Sequence, residues 1–298
     1  MKLAAIDIGS NAIRFQITNV FVYNGVTTFK KVEYVRFPLR LGQDVFRFNE
    51  IGPEKEIKFI KLMHTFKMLI ELYEVDDSII CATSAMREAK NGHTIAAKVK
   101  EQLGLDIKII DGDKEAEIIN KVIFNQIDHK SYIHIDVGGG STELNLFIDC
   151  QKIAAQSFRI GHVRKLTGNT STEEWERMRT WTTENITPEM RPLIAVGTGG
   201  NISKLYELAN LPRVRNQNPT ITLPQIEQVQ NLLASYTLDE RIHIMMLNPD
   251  RADVILPASE IYLSVMKWAN ATEILVPDVG LKDGLLQMLY EKHELNLY

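Results

Sequence analysis

Three consecutive glycines, Gly138-Gly139-Gly140, follow an acid, Asp136, and precede Ser141-Thr142-Glu143. Three adjacent glycines exceed what a turn requires. They let the backbone take φ > 0 and come close to a ligand, and their N–H groups can converge on an anion. Ser141 and Thr142 add hydroxyl donors, and Asp136, at the carboxyl end of an expected strand, suits a divalent ion that partly neutralises a phosphate. An earlier run, Asp7-Ile8-Gly9-Ser10-Asn11, has the same layout. Alone it would pass for an ordinary polar turn. As a matched pair, the two loops are expected to face one another and hold a phosphate chain from both sides, with a divalent cation between. In Asp111-Gly112-Asp113-Lys114-Glu115 a strand ends and a helix begins, placing Glu115 in the first helical turn, where capping and the helix dipole also favour acids. Cys81 to Ala89 reads as a strand turning into a short helix. Thr83 or Ser84 is the expected cap, and Arg87 is either an ion-pair partner or a fork for phosphate.

The elements that must carry these residues follow from periodicity. Leu3–Ile8, Arg14–Tyr23 and Thr27–Arg36 read as strands, the last two joined by a turn at Asn24-Gly25. Glu54–Glu74 is expected to be helical, with Ile57, Ile60, Leu62, Phe66, Leu69, Leu72 and Tyr73 as its apolar residues and Pro53 at its start. Strands at 78–83 and 106–110 and helices at 93–103 and 114–124 complete the first series. The second repeats the plan, with strands at 132–137, 142–150 and 152–158, then helices, a strand at 193–196 and a helix opening near Gly199. A long helix at 251–269 is expected to break at Pro257, before a strand at 273–276 and a helix at 281–291. Both series open with a strand ending in Asp-x-Gly, so the chain reads as a weak duplication. The fold class is α/β, with two similar lobes facing a cleft: residues 1–125 and 126–298.

Composition narrows the function. The 298 residues carry 34 Lys plus Arg against 38 Asp plus Glu, a net charge of −4, with no basic run. Nucleic acid is therefore not an expected partner. No apolar stretch approaches a membrane span and the amino-terminal residues do not form a signal peptide, so a cytoplasmic protein is expected. Cys81 and Cys150 read as reduced, buried thiols. The seven histidines show no metal-ligand grouping, His129 and His134 included. Trp175, Trp181 and Trp268 read as helix packing. Lys30-Lys31 and the pair Arg213 and Arg215 read as solvated charge, the second pair also suiting a cleft mouth.

Seven motifs in order carry a resemblance. Asp7–Asn11, Ala82–Arg87, Asp111–Ala116, Asp136–Glu143, Gly161-His162-Val163-Arg164, Gly197-Thr198-Gly199-Gly200-Asn201 and Asp278–Gly284 resemble motifs of the exopolyphosphatase and guanosine pentaphosphate phosphatase family. That family sits in the superfamily of actin, the sugar kinases and the heat-shock ATPases. The resemblance implies two ribonuclease-H-like lobes, with the last helix, about residues 280–292, crossing back to the first. It implies Glu115 as the base that activates water and Arg87 as a ligand of substrate phosphate. Gly9, Ser10, Asn11 and Gly138, Gly139, Gly140, Ser141, Thr142 become the two phosphate loops. Gly197, Gly199, Gly200 and Asn201 become a nucleotide-side loop, and Asp7, Asp136 and Glu143 the magnesium ligands. The chain departs from the family at Asp111, where many members have Ser, and at Asn201, where Thr is frequent. It also resembles the two-lobe core without the extra helical domains of the long members.

The implied reaction is magnesium-dependent hydrolysis of a phosphoanhydride, releasing terminal orthophosphate from inorganic polyphosphate or from pppGpp. A (p)ppGpp- or nucleotide-binding regulator with little turnover and a small-molecule phosphotransferase of the same superfamily are the alternatives. The reading leaves room for a homodimer.

Overall fold

The computed structural model describes residues 1–212 and 218–295, so Arg213 and Arg215 lie outside the described residues. The first series folds as β1 (Lys2–Ile8), β2 (Ile13–Tyr23), β3 (Val26–Phe37), α1 (Leu41–Phe48), α2 (Pro53–Leu72), β4 (Asp77–Ala82), α3 (Ser84–Glu88), α4 (Gly92–Leu103), β5 (Ile107–Ile109) and α5 (Gly112–Ile123). The second gives β6 (Ser131–Val137), β7 (Thr142–Ile148), β8 (Gln151–Phe158), α6 (His162–Leu166), α7 (Thr172–Asn185), β9 (Leu193–Thr198) and α8 (Gly200–Leu208). It continues with β10 (Thr220–Thr222), α9 (Leu223–Ser235), α10 (Leu238–His243), α11 (Pro249–Ala252), α12 (Ile255–Ala269), β11 (Glu273–Leu275) and α13 (Leu281–Leu295).

The chain divides into two compact units. One comprises Met1–Val122 and the segment from Gly280 onward; the other is Ile123–Val279. The division thus falls at Val122/Ile123, within the last turn of α5, where a break near residue 125 is expected from sequence. The first sheet runs β3-β2-β1-β4-β5, with β1, β4 and β5 parallel. The second has the same order in β8-β7-β6-β9-β11, with β10 added antiparallel at its edge. Each unit therefore has the ribonuclease-H-like arrangement. The duplication extends to detail: the pairing register slips at Ile17/Thr18 and again at Leu146/Phe147, at the same offset from Asp7 and Asp136. Both central hairpin strands are apolar runs buried on two faces, as covered parallel-type sheets demand.

Local chemistry accounts for the elements. The β2–β3 turn places Asn24 and Gly25 at φ 50° and 75°, the doubly left-handed turn that matches strand twist. Asp149 and Cys150 do the same between β7 and β8, at φ 48° and 59°. Cys150 thus lies in a turn and is half-buried, unlike the buried thiol expected; only Cys81 is enclosed. The inward stripe of α2 is Phe59, Leu62, Met63 and Phe66, while Ile57 and Leu72 are exposed. On this inward stripe Phe66 stacks on Phe15 of β2 at 4.8 Å. Pro257 does not break the 251–269 helix. The break lies at Asp253-Val254, and Pro257 sits in the first turn of α12, where no intrahelical N–H bond is lost. Trp175 meets Trp268 edge-on at 5.7 Å and Trp181 meets Phe158, both as packing between elements. Among the described residues no helix is long and apolar enough to cross a membrane.

Helix α13 lies on the first sheet, and Gly284 makes it fit: a methyl there would stand 2.2 Å from the Ile118 carbonyl oxygen of α5. Gln16 reaches Asp283 at one end, and His293 Nε2 meets Asp77 Oδ2 at 2.9 Å at the other. Burial alone would raise the Asp77 carboxyl, but the His293 bond, the Ser78 N–H and Lys292 hold it below its ordinary value. A carboxyl depressed in the fold stabilises it above the unfolded pKa of about 4, and that contribution fades as pH falls through the folded value. Asp77→Asn should cost about 0.5–1 kcal/mol at pH 7, the range for a partly exposed pair. Melting followed by circular dichroism should show the difference from wild type shrinking between pH 5 and roughly pH 3.

Candidate functional site

In the first unit, the strand order brings the chemistry to one end of the sheet. Asp7 stands beside Cys81 across β1 and β4, with Lys108 next on β5. Arg14, opposite Asp7 on β2, donates to its carboxylate at 2.8 Å. Past the ends of these strands, Gly9 closes the turn through its N–H to the Ala12 carbonyl, and the Ser10 hydroxyl meets that of Ser84 at 2.8 Å in a buried contact. The Ser10 and Asn11 carbonyls are fixed by the N–H groups of Gly42 and Arg40. Thus α1, an element with no counterpart among the expected helices, holds the first loop. Thr83 precedes α3 but makes no side-chain cap, and Ser84 spends its hydroxyl on Ser10; neither caps the helix as expected.

Arg87 donates from Nη1 to the Ile110 carbonyl at 2.6 Å, which places its guanidinium at the end of β5, where α5 begins. Glu115 lies in the first turn of α5, with Oε2 buried. Burial first, and then the negative charges of Asp7 and Glu115, push the Cys81 thiol up to about 12 against the opposing pull of Lys108 and Lys114. One thiol thus feels both carboxylates. Asp111 accepts from the Lys114 N–H at 2.7 Å as the cap of α5, a role that Ser fills equally well. Asp111→Ala should therefore cost about 1 kcal/mol in urea unfolding and Asp111→Ser only a few tenths. Equal losses for the two would remove the capping role.

In the second unit, the triple-glycine hairpin is anchored by its carbonyls. Gly138 O accepts from His162 N, Gly139 O from the N–H groups of Val163 and Arg164, and Gly140 O from Arg164 Nε at 2.7 Å. A trans peptide points its N–H opposite its C=O. The N–H groups of Gly139, Gly140 and Ser141 therefore project together, away from α6, as an anion nest does. The buried Arg164, quoted above only as part of a motif, is the side chain that props this loop. Thr142 ties its hydroxyl to the Ile160 carbonyl, so it serves the hairpin rather than the open side.

Asp136 and Glu143 are cross-strand neighbours on β6 and β7. Asp136 is partly exposed, whereas Glu143 is buried and accepts from Ser157 at 2.9 Å. Among the described residues no three His, Cys, Asp or Glu side chains gather as a metal centre. Two adjacent hard carboxylates still match magnesium, which commonly takes one or two protein ligands and completes its shell with water and phosphate oxygens. Asp7, already bound by Arg14, fits that role less well. In the glycine loop before α8, Gly197 makes room for Ile274 and Ile202, which a methyl would approach within 3.0 Å. Gly199, at φ 95°, lies against Asp136, and Gly200 lies against the guanidinium of Arg251. Asn201 is buried in the first turn of α8. Arg251 has no sequence motif that would have singled it out; only the fold brings it to Gly200.

Known proteins resemble this sequence and share this fold. The Ppx/GppA phosphatase family matches residues 21–293. A bifunctional 3-dehydroquinate synthase/phosphatase of Fusobacterium nucleatum is 28% identical over 97% of the chain and 46% of its own length. A guanosine-5'-triphosphate,3'-diphosphate pyrophosphatase of Photobacterium profundum is 24% identical over 97% and 59%, respectively. The chain thus spans about half the length of these two relatives. A Haemophilus influenzae protein provisionally named exopolyphosphatase is 24% identical, with 99% of the chain and 93% of that protein covered. Among solved structures, an exopolyphosphatase from Cytophaga hutchinsonii superposes with a TM-score of 0.83 at 22% identity, covering 98% of each chain. The Aquifex aeolicus Ppx/GppA protein gives 0.76 at 24%, also with 98% of each covered. Two duplicated sheets, each ending in an acid-and-glycine loop, and a match over nearly all of the sequence place the chain in the Ppx/GppA phosphatase family.

Proposed function

We propose that the chain hydrolyses the terminal phosphoanhydride of inorganic polyphosphate or of pppGpp, releasing orthophosphate. The observation that carries this reading is the triple-glycine hairpin: its three carbonyls are all engaged by α6, which leaves three successive N–H groups for a ligand and suits an anion. The first loop, with Ser10 and Ser84 sharing a buried hydroxyl contact, suits the same ligand class. A phosphate group suits each of the two loops taken by itself.

In this reading the N–H groups of Gly139, Gly140 and Ser141 bind the equatorial oxygens of a phosphoryl group, where charge gathers during transfer. Arg87, fixed at the end of β5 by the Ile110 carbonyl, contributes a fork to phosphate oxygens. Glu115 accepts the proton of the attacking water. Its place in the first turn of α5, with Oε2 buried, suits a general base. Asp136, with Glu143 behind it, would hold magnesium, which when bound neutralises phosphate charge as a Lewis acid.

The test is orthophosphate release from short polyphosphate, pppGpp and ATP, with and without magnesium, by wild type and Glu115→Gln. Release from polyphosphate or pppGpp that needs both magnesium and Glu115 supports the reading. Tight (p)ppGpp binding with equally slow turnover in both proteins would replace it with a regulator, and transfer to a small-molecule hydroxyl would replace it with a kinase.

A further inference from the structure

The middle of the second sheet contains polar groups where its apolar pattern calls for hydrocarbon. His134 on β6 and Asn145 on β7 are both fully buried, flanked by Ile133, Ile135, Leu144 and Leu146. Asn145 Nδ2 lies 3.1 Å from His134 Nδ1, and His134 Nε2 lies 2.9 Å from the Thr198 hydroxyl. An amide nitrogen only donates, so Nδ1 accepts and the ring proton sits on Nε2, directed at Thr198. Thr198 is gripped a second time: the buried hydroxyl of Tyr262, from α12, donates to its carbonyl at 2.6 Å.

Thr198 is the last residue of β9, paired across the sheet with Asp136. The next residue, Gly199, turns the chain into α8 at φ 95°, a conformation only glycine takes without strain. A methyl on Gly199 would lie 3.4 Å from Asp136 Oδ1 and 3.9 Å from the Tyr262 hydroxyl. One small volume thus holds the carboxylate, the hinge and the clamp. Apolar side chains at 134 and 145 would pack the sheet without the cost of burying an imidazole and an amide. What the polar pair adds is one fixed rotamer for Thr198.

We propose that His134 and Tyr262 are positioning residues, which clamp Thr198 by its hydroxyl and its carbonyl and thereby set the Gly199 hinge and the direction of the Asp136 carboxylate. The rate arm of the test rests on the proposed phosphatase reading; the spectroscopic arm does not.

His134→Leu and Tyr262→Phe remove one grip each, and His134→Gln retains a donor for Thr198. Ile133→Val, an ordinary core truncation on the opposite face of β6, is the stability control. Backbone amide resonances of Asp136 and Gly199 in the full chain should shift in His134→Leu and Tyr262→Phe, but far less in His134→Gln and Ile133→Val. With polyphosphate as substrate, kcat should fall roughly 10- to 100-fold in the first two variants, the range seen when supporting hydrogen bonds behind a metal ligand are lost. The magnesium concentration for half-maximal rate should rise, KM for polyphosphate should stay within about twofold, and His134→Gln should recover part of the rate. Unmoved Gly199 and Asp136 resonances overturn the clamp, as does a rate loss that merely tracks the lost folded fraction. If wild type releases no phosphate from any substrate, the phosphatase reading fails, and the resonance shifts alone then decide the clamp.

Discussion

Glu115→Gln should release phosphate ~10²-fold or more slowly than wild type, the range for losing a general base. The amide matches the carboxylate in size and can still orient a water, but it cannot take the water's proton. The side chain occupies the first turn of α5, with Oε2 buried, close enough to Cys81 for its charge to raise that thiol along with that of Asp7. A group so held should act on the transition state rather than on binding, so kcat and kcat/KM should drop together while KM stays nearly constant. Single-turnover phosphate release by Glu115→Gln at the wild-type rate would remove Glu115 as the base. A tenfold rise in KM with unchanged kcat would reassign it to substrate binding.

The second large effect is expected from one added methyl. Gly161 precedes α6, and a Cβ there would stand 2.4 Å from the Gly139 carbonyl oxygen and 2.5 Å from Gly140 N. Its φ of −146° is one that any residue adopts, so the obstacle is contact, not backbone strain. Both partners are main chain, and no side chain can swing aside. Gly161→Ala must therefore push the triple-glycine hairpin off α6 and break the carbonyl bonds that aim its N–H groups. Overpacking of this kind costs about 1–3 kcal/mol, and a shift near 1 Å at a reacting centre costs about 10²-fold in rate. Urea titration and phosphate release on the same sample separate the two effects. A folded Gly161→Ala protein with wild-type turnover would show that the hairpin need not be held where α6 puts it.

Local patterns in the chain show much of this fold. Alternation and the Asn24-Gly25 turn mark β2 and β3 almost to the residue, because β-branched and aromatic residues alternate with polar ones on both sides of a left-handed two-residue turn. Helix α1 left no such record: it spans eight residues, starts from a left-handed Arg40, and has no side-chain cap. The phase of α2 was obscured by surplus apolar residues, Ile57 and Leu72, that face water. Both glycine loops were visible by composition. What supports them was not, since Ser10 meets Ser84, Gly140 meets Arg164 and Gly200 meets Arg251 only after folding. His134 shows the same limit. A lone polar letter in an apolar strand says nothing until Asn145 and Thr198 arrive beside it. The departure at Asp111 resolves in the opposite direction: what looks in sequence like an added charge is a helix cap in place of another.

Gly284 and the helix around it carry a consequence for biosynthesis. The second unit is one uninterrupted stretch, Ile123–Val279, whereas the first needs residues from before Val122 and after Gly280. During translation the later-made half is complete while the earlier-made half still waits for α13 to leave the ribosome. Until that helix settles against Ile118, the nascent first sheet lacks the cover for Leu3, Ala5 and Ile79, which the finished protein buries. Exposed apolar strand surface of that kind is what chaperones bind. Ribosome-bound chains ending at Val279 and followed by a linker long enough to fill the exit tunnel should therefore hold a protease-resistant second half beside a first half that is still cut.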